Sequence, residues 1–398
     1  MSLANGRTYL AIPGPSVVPD QVLQAMHQAS PNIYEGPVVD LVPGIIDDLK
    51  AVARTKYHAA IYISNGHGVW EAAIANTLNA GDTALLLMTG AFGRGWGEIA
   101  TCLGVKLQVI DAGRKNAIDL NKVRDALSVD RKRKIKAVMV CQVDTSTSVL
   151  NDIPALRAVI DDVGHPALLM VDCVASLGCD QFEMDAWGVD LVVAASQKGF
   201  MTPPGMGFLF FNDKADLARG NCTNVSWYWD WRPRLNPQEF YMYFGGTAPT
   251  QHLFGLRVAL DMILDEGLAQ VWHRHRVLAQ AYWAAIDAWG QTGPIKLNIS
   301  DPVSRSCAVT TVSIGLPYGA QLRDWVIDNA GLTLGISLAM DTPDDPKGSG
   351  VFRIGHMGHV NAHMVLGSIG VIEAAMLALD IPHAKGGLAA AVAVCAKG

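Results

Sequence analysis

Between residues 59 and 211 the chain repeats one pattern: a short run of apolar, β-prone residues, a polar or glycine-rich break, and often a stretch with apolar residues at helical spacing. The runs at 59–63, 83–88, 105–110, 135–141, 167–171, 191–195 and 206–211 predict strands. They are apolar throughout rather than alternating, as strands covered on both faces are. Residues 66–79 and 119–127 predict helices between them, and Asp152 followed by Pro154 predicts a capped start to another. Such alternation belongs to an α/β fold, a mostly parallel sheet with helices on both faces. The segment 221–246 is rich in Trp, Tyr, Arg and Pro without a period and predicts an excursion loop, whose tryptophans (227, 229 and 231) are expected to pack rather than to react. Beyond it, helical stretches at 249–267 and 269–290 and β-rich runs at 307–314 and 351–354 predict a second, smaller α+β unit, and the Ala-rich tail after Gly386 predicts a short helix.

Composition narrows the function classes. The chain has 398 residues, enough for two domains. Half are apolar and only 17% are charged, below the roughly 25% of an average soluble chain, so a disordered chain is excluded. Lys and Arg number 31 against 37 Asp and Glu, and the longest basic block is Arg131-Lys-Arg-Lys134, so no nucleic-acid partner is expected. Every apolar run breaks before the roughly 18 to 20 residues that span a bilayer, and no membrane partner is expected. Pro13-Gly14-Pro15 interrupts the N-terminal stretch before a signal-peptide core forms. The seven cysteines are odd in number, scattered and without metal-ligand spacing, which predicts reduced thiols, a cytoplasmic location and no metal site.

In open α/β sheets ligands collect beyond the carboxyl ends of the strands, so the residues after each run are the candidates. Ser64-Asn65-Gly66-His67-Gly68 leads from a strand into a helix and would aim backbone N–H groups at an anion, although such turns are often only tight turns. Asp172 ends another strand beside Val174, where a carboxylate needs a cation, a cap or an ion pair. Ser196-Gln197-Lys198-Gly199 ends a third, placing a lysine where desolvation would lower its pKa and fit it for a Schiff base. An anion cradle, an acid and a lysine in that order suit a ligand carrying phosphate, pyridinium and aldehyde, which is pyridoxal 5′-phosphate.

With these residues in view, the chain resembles the class V aminotransferases of the fold type I pyridoxal-phosphate enzymes, and within them the serine-glyoxylate and alanine-glyoxylate group. The likeness is carried by Ile12-Pro-Gly-Pro, Val171-Asp-Cys-Val-Ala-Ser-Leu-Gly178, Ser196-Gln-Lys-Gly, Gly267-Leu-Ala-Gln-Val-Trp-His-Arg-His275 and Phe352-Arg-Ile-Gly-His356. The resemblance implies a seven-stranded, mostly parallel sheet in a large domain (19–268) after an N-terminal arm (1–18), with a smaller C-terminal α+β domain (269–398). It implies that Lys198 binds the cofactor aldehyde and shuttles protons, and that Asp172 pairs with the pyridine nitrogen. Asn65, Gly66, His67 and Gln197 would lie at the phosphate, Thr145 at the ring oxygen, and Val174 and Phe92 on the two ring faces. Thr247 would reach the phosphate of a neighbouring subunit, which makes the partner a second copy of the chain in a homodimer. Arg353 would clamp the substrate carboxylate, unless an acid of the small domain pairs with it, and Gly14 and Tyr34 would border the substrate. The reaction implied is transfer of an amino group from serine or alanine to glyoxylate or pyruvate, in ping-pong order.

Two departures from the group stand out. Phe244 occupies a position where relatives often carry Tyr, leaving Tyr243 as a substitute. In the loop where serine-glyoxylate enzymes show His-Arg-Ser, this chain has Asn32-Ile-Tyr-Glu-Gly-Pro37. Tyr34 there, with Thr89-Gly-Ala-Phe-Gly-Arg-Gly95, is similar to pyridoxamine-pyruvate aminotransferase, which makes action on the free vitamin the alternative. A desulfurase would need a nucleophilic cysteine, for which Cys307 is the positional candidate. A nicotinamide dehydrogenase would need a GxGxxG turn that is absent.

Overall fold

A computed structural model describes residues 2–223 and 225–398. Its centre is a seven-stranded sheet built from β1 (His58–Ser64), β2 (Thr83–Met88), β3 (Lys106–Asp111), β4 (Ile135–Cys141), β5 (Leu168–Asp172), β6 (Leu191–Ala195) and β7 (Gly205–Phe211). Their spatial order is β1-β7-β6-β5-β4-β2-β3, and β7 alone runs antiparallel to its neighbours. Successive side chains leave a strand on opposite faces. Val138 and Val140 therefore join one core with Leu169, Val171 and Val192, while Ala137 and Met139 join another with Leu168, Met170 and Val193. Both faces are covered, which is why the runs read as continuously apolar. The exception is β3 at the sheet edge, where Val109 is half exposed.

The helices start where their caps are. Asn65 caps Gly66–Thr77 through hydrogen bonds from the His67 and Gly68 N–H groups, at 3.1 and 3.3 Å. The Asp152 carboxylate accepts the Ala155 N–H at 2.9 Å at the start of Ile153–Asp162. The excursion at 221–246 contains a short helix (Arg232–Leu235) and a 3-10 turn (Phe240–Tyr243), anchored by Trp231, which is fully buried and stacks on Phe211 at 3.9 Å.

After helix Thr250–Glu266, Gly267 turns the chain at φ 82° into helix Leu268–Trp289, which packs on a second core. That core covers a three-stranded antiparallel sheet of β8 (Lys296–Leu297), β9 (Val309–Ser313) and β10 (Val351–Gly355). The N-terminal strand Tyr9–Ala11 pairs with Leu332–Leu334 and so ties the arm to this smaller unit. No helix among the described residues is long and apolar enough to cross a membrane.

Candidate functional site

Because β6 and β7 are adjacent and antiparallel, residues 196–204 form the connection between them, and Lys198 sits on it at the carboxyl end of β6. The N-terminal arm lies across this turn. Ser16 donates its hydroxyl to the Lys198 carbonyl at 2.7 Å and its N–H to the Gln197 carbonyl at 2.9 Å, and Lys198 Nζ donates to the Pro13 carbonyl. Gly14 between them has φ +96°, and a Cβ there would collide with the lysine side chain, so glycine meets both the backbone and the space requirement.

A cavity of about 200 Å³ opens at this point. Gly14, Asn65, Gly66, His67, Phe92, Val174, Gln197 and Lys198 line it, as do Pro15, Trp70 and Pro204, which the sequence did not single out. Asp172 lies just behind the lining. Its Oδ2 accepts the Trp70 indole N–H at 3.0 Å and its Oδ1 the Val174 N–H at 2.7 Å. Trp70 is one helical turn beyond Gly66 and so shares its face, a spacing that could have identified it. Its ring meets Phe92 edge-on at 6.2 Å.

The site is electrostatically tuned. Burial lowers the Lys198 amine to about 8, helped by the Arg353 charge and opposed by Asp172. Burial raises Asp172 to about 6, against the hydrogen bonds it accepts from Val174, Trp70 and Cys141. Arg353 is 6% exposed and burial lowers it to about 10. It donates from Nε to the Ile336 carbonyl at 2.7 Å and from Nη1 to the Thr145 carbonyl at 2.9 Å. Among the described residues no carboxylate lies within ion-pair distance of it, so the guanidinium keeps charge to offer a ligand.

Other candidates lie elsewhere. Tyr34 is 87% exposed and Thr247 is exposed, and neither lines the cavity of its own chain. The Cys307 backbone N–H donates to Asp180 Oδ1 at 2.7 Å, and burial pushes its thiol well above its ordinary value, the opposite of what a nucleophile needs. A larger cavity of about 870 Å³ lies at the arm beside His359 and His363, with Arg7 already paired to Asp20 at 2.6 Å.

The lining suits a flat ring with an anionic end. Gly66 faces Val174, where an added Cβ would come within 3.3 Å and fill the cradle. Among the described residues the buried side-chain oxygen of Gln197 has no partner, and turning the amide would present its N–H groups to an anion. No Asp or Glu among the described residues lines the cavity. Asn65 takes the His67 and Gly68 N–H groups for itself, so the cradle is narrower than the glycine pattern implied.

Comparison with known proteins agrees with this geometry. Residues 8–318 match the family model described as Aminotransferase class-V. The chain is 35% identical over 395 residues to a serine-glyoxylate aminotransferase of Methylorubrum extorquens, covering 97% of this chain and 95% of that protein. It is 32% identical to an L-aspartate-glyoxylate aminotransferase of Paracoccus denitrificans, covering 96% and 94%. A pyridoxamine-pyruvate aminotransferase from Mesorhizobium loti superposes with a TM-score of 0.88 over the full length of both chains at 24% identity, a likeness of fold. The fold is that of the type I pyridoxal-phosphate enzymes, and the chain belongs to the class V aminotransferases.

Proposed function

We propose that this aminotransferase uses pyridoxal 5′-phosphate to move the amino group of a small L-amino acid, serine or alanine, to glyoxylate or pyruvate by a ping-pong route. The observation that carries the reading is the buried Lys198 amine, lowered to about 8, in one cavity with Gly66 and Gln197 and backed by Asp172. When bound, the cofactor supplies an aldehyde that accepts amino groups and a ring that withdraws electrons. Lys198 Nζ would hold that aldehyde and, once displaced by the donor amine, would carry the proton from the donor's Cα to the former aldehyde carbon, and in the second half-reaction from that carbon to Cα of the oxo acid's product. Asp172 keeps a proton on the ring nitrogen. Arg353 orients the donor by its carboxylate through the charge its carbonyl partners leave unneutralised. Phe92 and Val174 confine the ring, while the His67 side chain, Gln197 and the Gly66 backbone receive the phosphate. The exposed Thr247 and Tyr34 serve the neighbouring copy in a homodimer.

A second reading, action on the free vitamin pyridoxamine with pyruvate, is favoured by one feature: among the described residues no Lys or Arg apart from Lys198 lines the cavity to neutralise a phosphate. The visible spectrum separates the two. A yellow protein that bleaches with serine or alanine and regains colour with glyoxylate supports the first. A colourless protein that releases pyridoxal from pyridoxamine and pyruvate supports the second, and one that does neither refutes both.

A further inference from the structure

We infer that Asp144 is a positioning residue that holds the aromatic wall of the site and its arginine in register. This rests on the roles proposed for Phe92 and Arg353. Asp144 is fully buried, and no Lys, Arg or His among the described residues lies within ion-pair distance of it. Such a carboxylate is tolerated only when its lone pairs are filled. Oδ2 accepts the N–H groups of Phe92 at 2.9 Å and Gly93 at 3.0 Å, at the positive start of helix Ala91–Cys102. Oδ1 accepts the N–H of Ser146 at 3.0 Å and its hydroxyl at 2.6 Å. Gly90 permits the approach, since a Cβ there would collide with the carboxylate.

The two oxygens therefore grip two different walls. One fixes the backbone that carries Phe92. The other fixes the turn around Thr145, whose carbonyl orients the Arg353 guanidinium. Asp144 is also the acid whose field supports the Arg353 charge without touching it. An ordinary helix cap would serve one helix, as Asp152 does.

The test is Asp144→Asn, which keeps the shape but turns one acceptor into a donor facing N–H groups. Asp152→Ala is the control, a lost cap at an exposed residue that does not line the cavity. Asp144→Asn is expected to raise KM for the amino donor about tenfold and weaken pyridoxal-phosphate binding about tenfold, while Asp152→Ala lowers Tm and moves neither constant by more than about twofold. If Asp144→Asn behaves like the control, the inference is overturned. Hydrogen exchange of the cofactor-free protein supplies a readout independent of activity: the Phe92 and Gly93 amides are expected to exchange at least about tenfold faster in Asp144→Asn, and unchanged exchange overturns the inference even if the enzyme proves to use another cofactor. Should Asp144→Asn fail to fold, Ser146→Ala removes the hydroxyl that donates to Asp144 Oδ1 and accepts the Ala91 N–H at 2.9 Å, and is expected to raise KM about threefold; an unchanged KM refutes the role.

Discussion

The Trp70 indole N–H donates to Asp172 Oδ2 at 3.0 Å, so a tryptophan that lines the cavity also fixes the acid behind it. Replacing it with Phe leaves that oxygen only the weak Cys141 thiol at 3.6 Å. A hydrogen bond to a charged group contributes roughly 1.5 to 3 kcal/mol, so Trp70→Phe is expected to raise the Asp172 pKa by roughly one to two pH units. Carboxyl NMR of the cofactor-free protein measures it. An unmoved titration would show that the indole does not hold the carboxylate.

Asp172 should cost the cofactor-free protein stability. Its pKa is raised from 3.8 to about 6 on folding, so its favourable contribution is complete below 3.8 and is lost as pH rises through 6. Asp172→Asn is therefore expected to abolish most transamination and yet to stabilise the cofactor-free protein at pH 7 to 8 by about 1 to 3 kcal/mol. Urea unfolding at pH 4 and pH 8 tests this. A variant less stable than wild type at pH 8 would contradict it.

Lys198 has the reverse sign. Its pKa is lowered from 10.5 to about 8, so its favourable contribution to folding is present above 10.5 and is lost as pH falls through 8. Only the neutral amine attacks an aldehyde. The rate of cofactor uptake, followed by absorbance, should rise with pH to a midpoint near 8 and vanish in Lys198→Ala. A midpoint close to 10.5 would mean the amine is solvated rather than buried.

Arg353→Lys keeps the charge but loses the planar fork that reaches the Ile336 and Thr145 carbonyls together. Losing one or two charge-assisted bonds to substrate predicts a KM for the amino donor raised roughly 10- to 100-fold, with kcat reduced less. Steady-state kinetics with serine and alanine decide it. Equal losses in kcat and kcat/KM with an unchanged KM would place the arginine's effect in the chemical step instead.

The strands of the central sheet were legible because burial on both faces leaves runs such as Ile135–Cys141 no polar alternation to blur them. Helices were less so. Helix Pro37–Ala53 contains Pro43 and Gly44, which interrupt its period, and Ala362–Ala378 is so apolar that it has no polar face to mark one. In the site, strand-end residues such as Lys198 and Asp172 announced themselves through the rule that ligands gather there. Asp144 and the Pro13 carbonyl did not, and Trp70 offered only its helical spacing from Gly66. Each acts through a hydrogen bond across a long sequence gap, 102 residues for Trp70 and Asp172 and 185 for Lys198 and Pro13, and such a pairing leaves no local pattern.

The position of β7 between β1 and β6 bears on how the enzyme is made. Ser64 pairs with Gly205 and Ala195 with Gly207, so the turn bearing Asn65 and the turn bearing Lys198 are held on either side of one strand. A ribosome delivers β1 long before β7, and β1 has no sheet partner until the later strand emerges. Assembly of the cavity on a nascent chain is thereby deferred until that strand has docked, which closes the pairing most distant in sequence within the sheet.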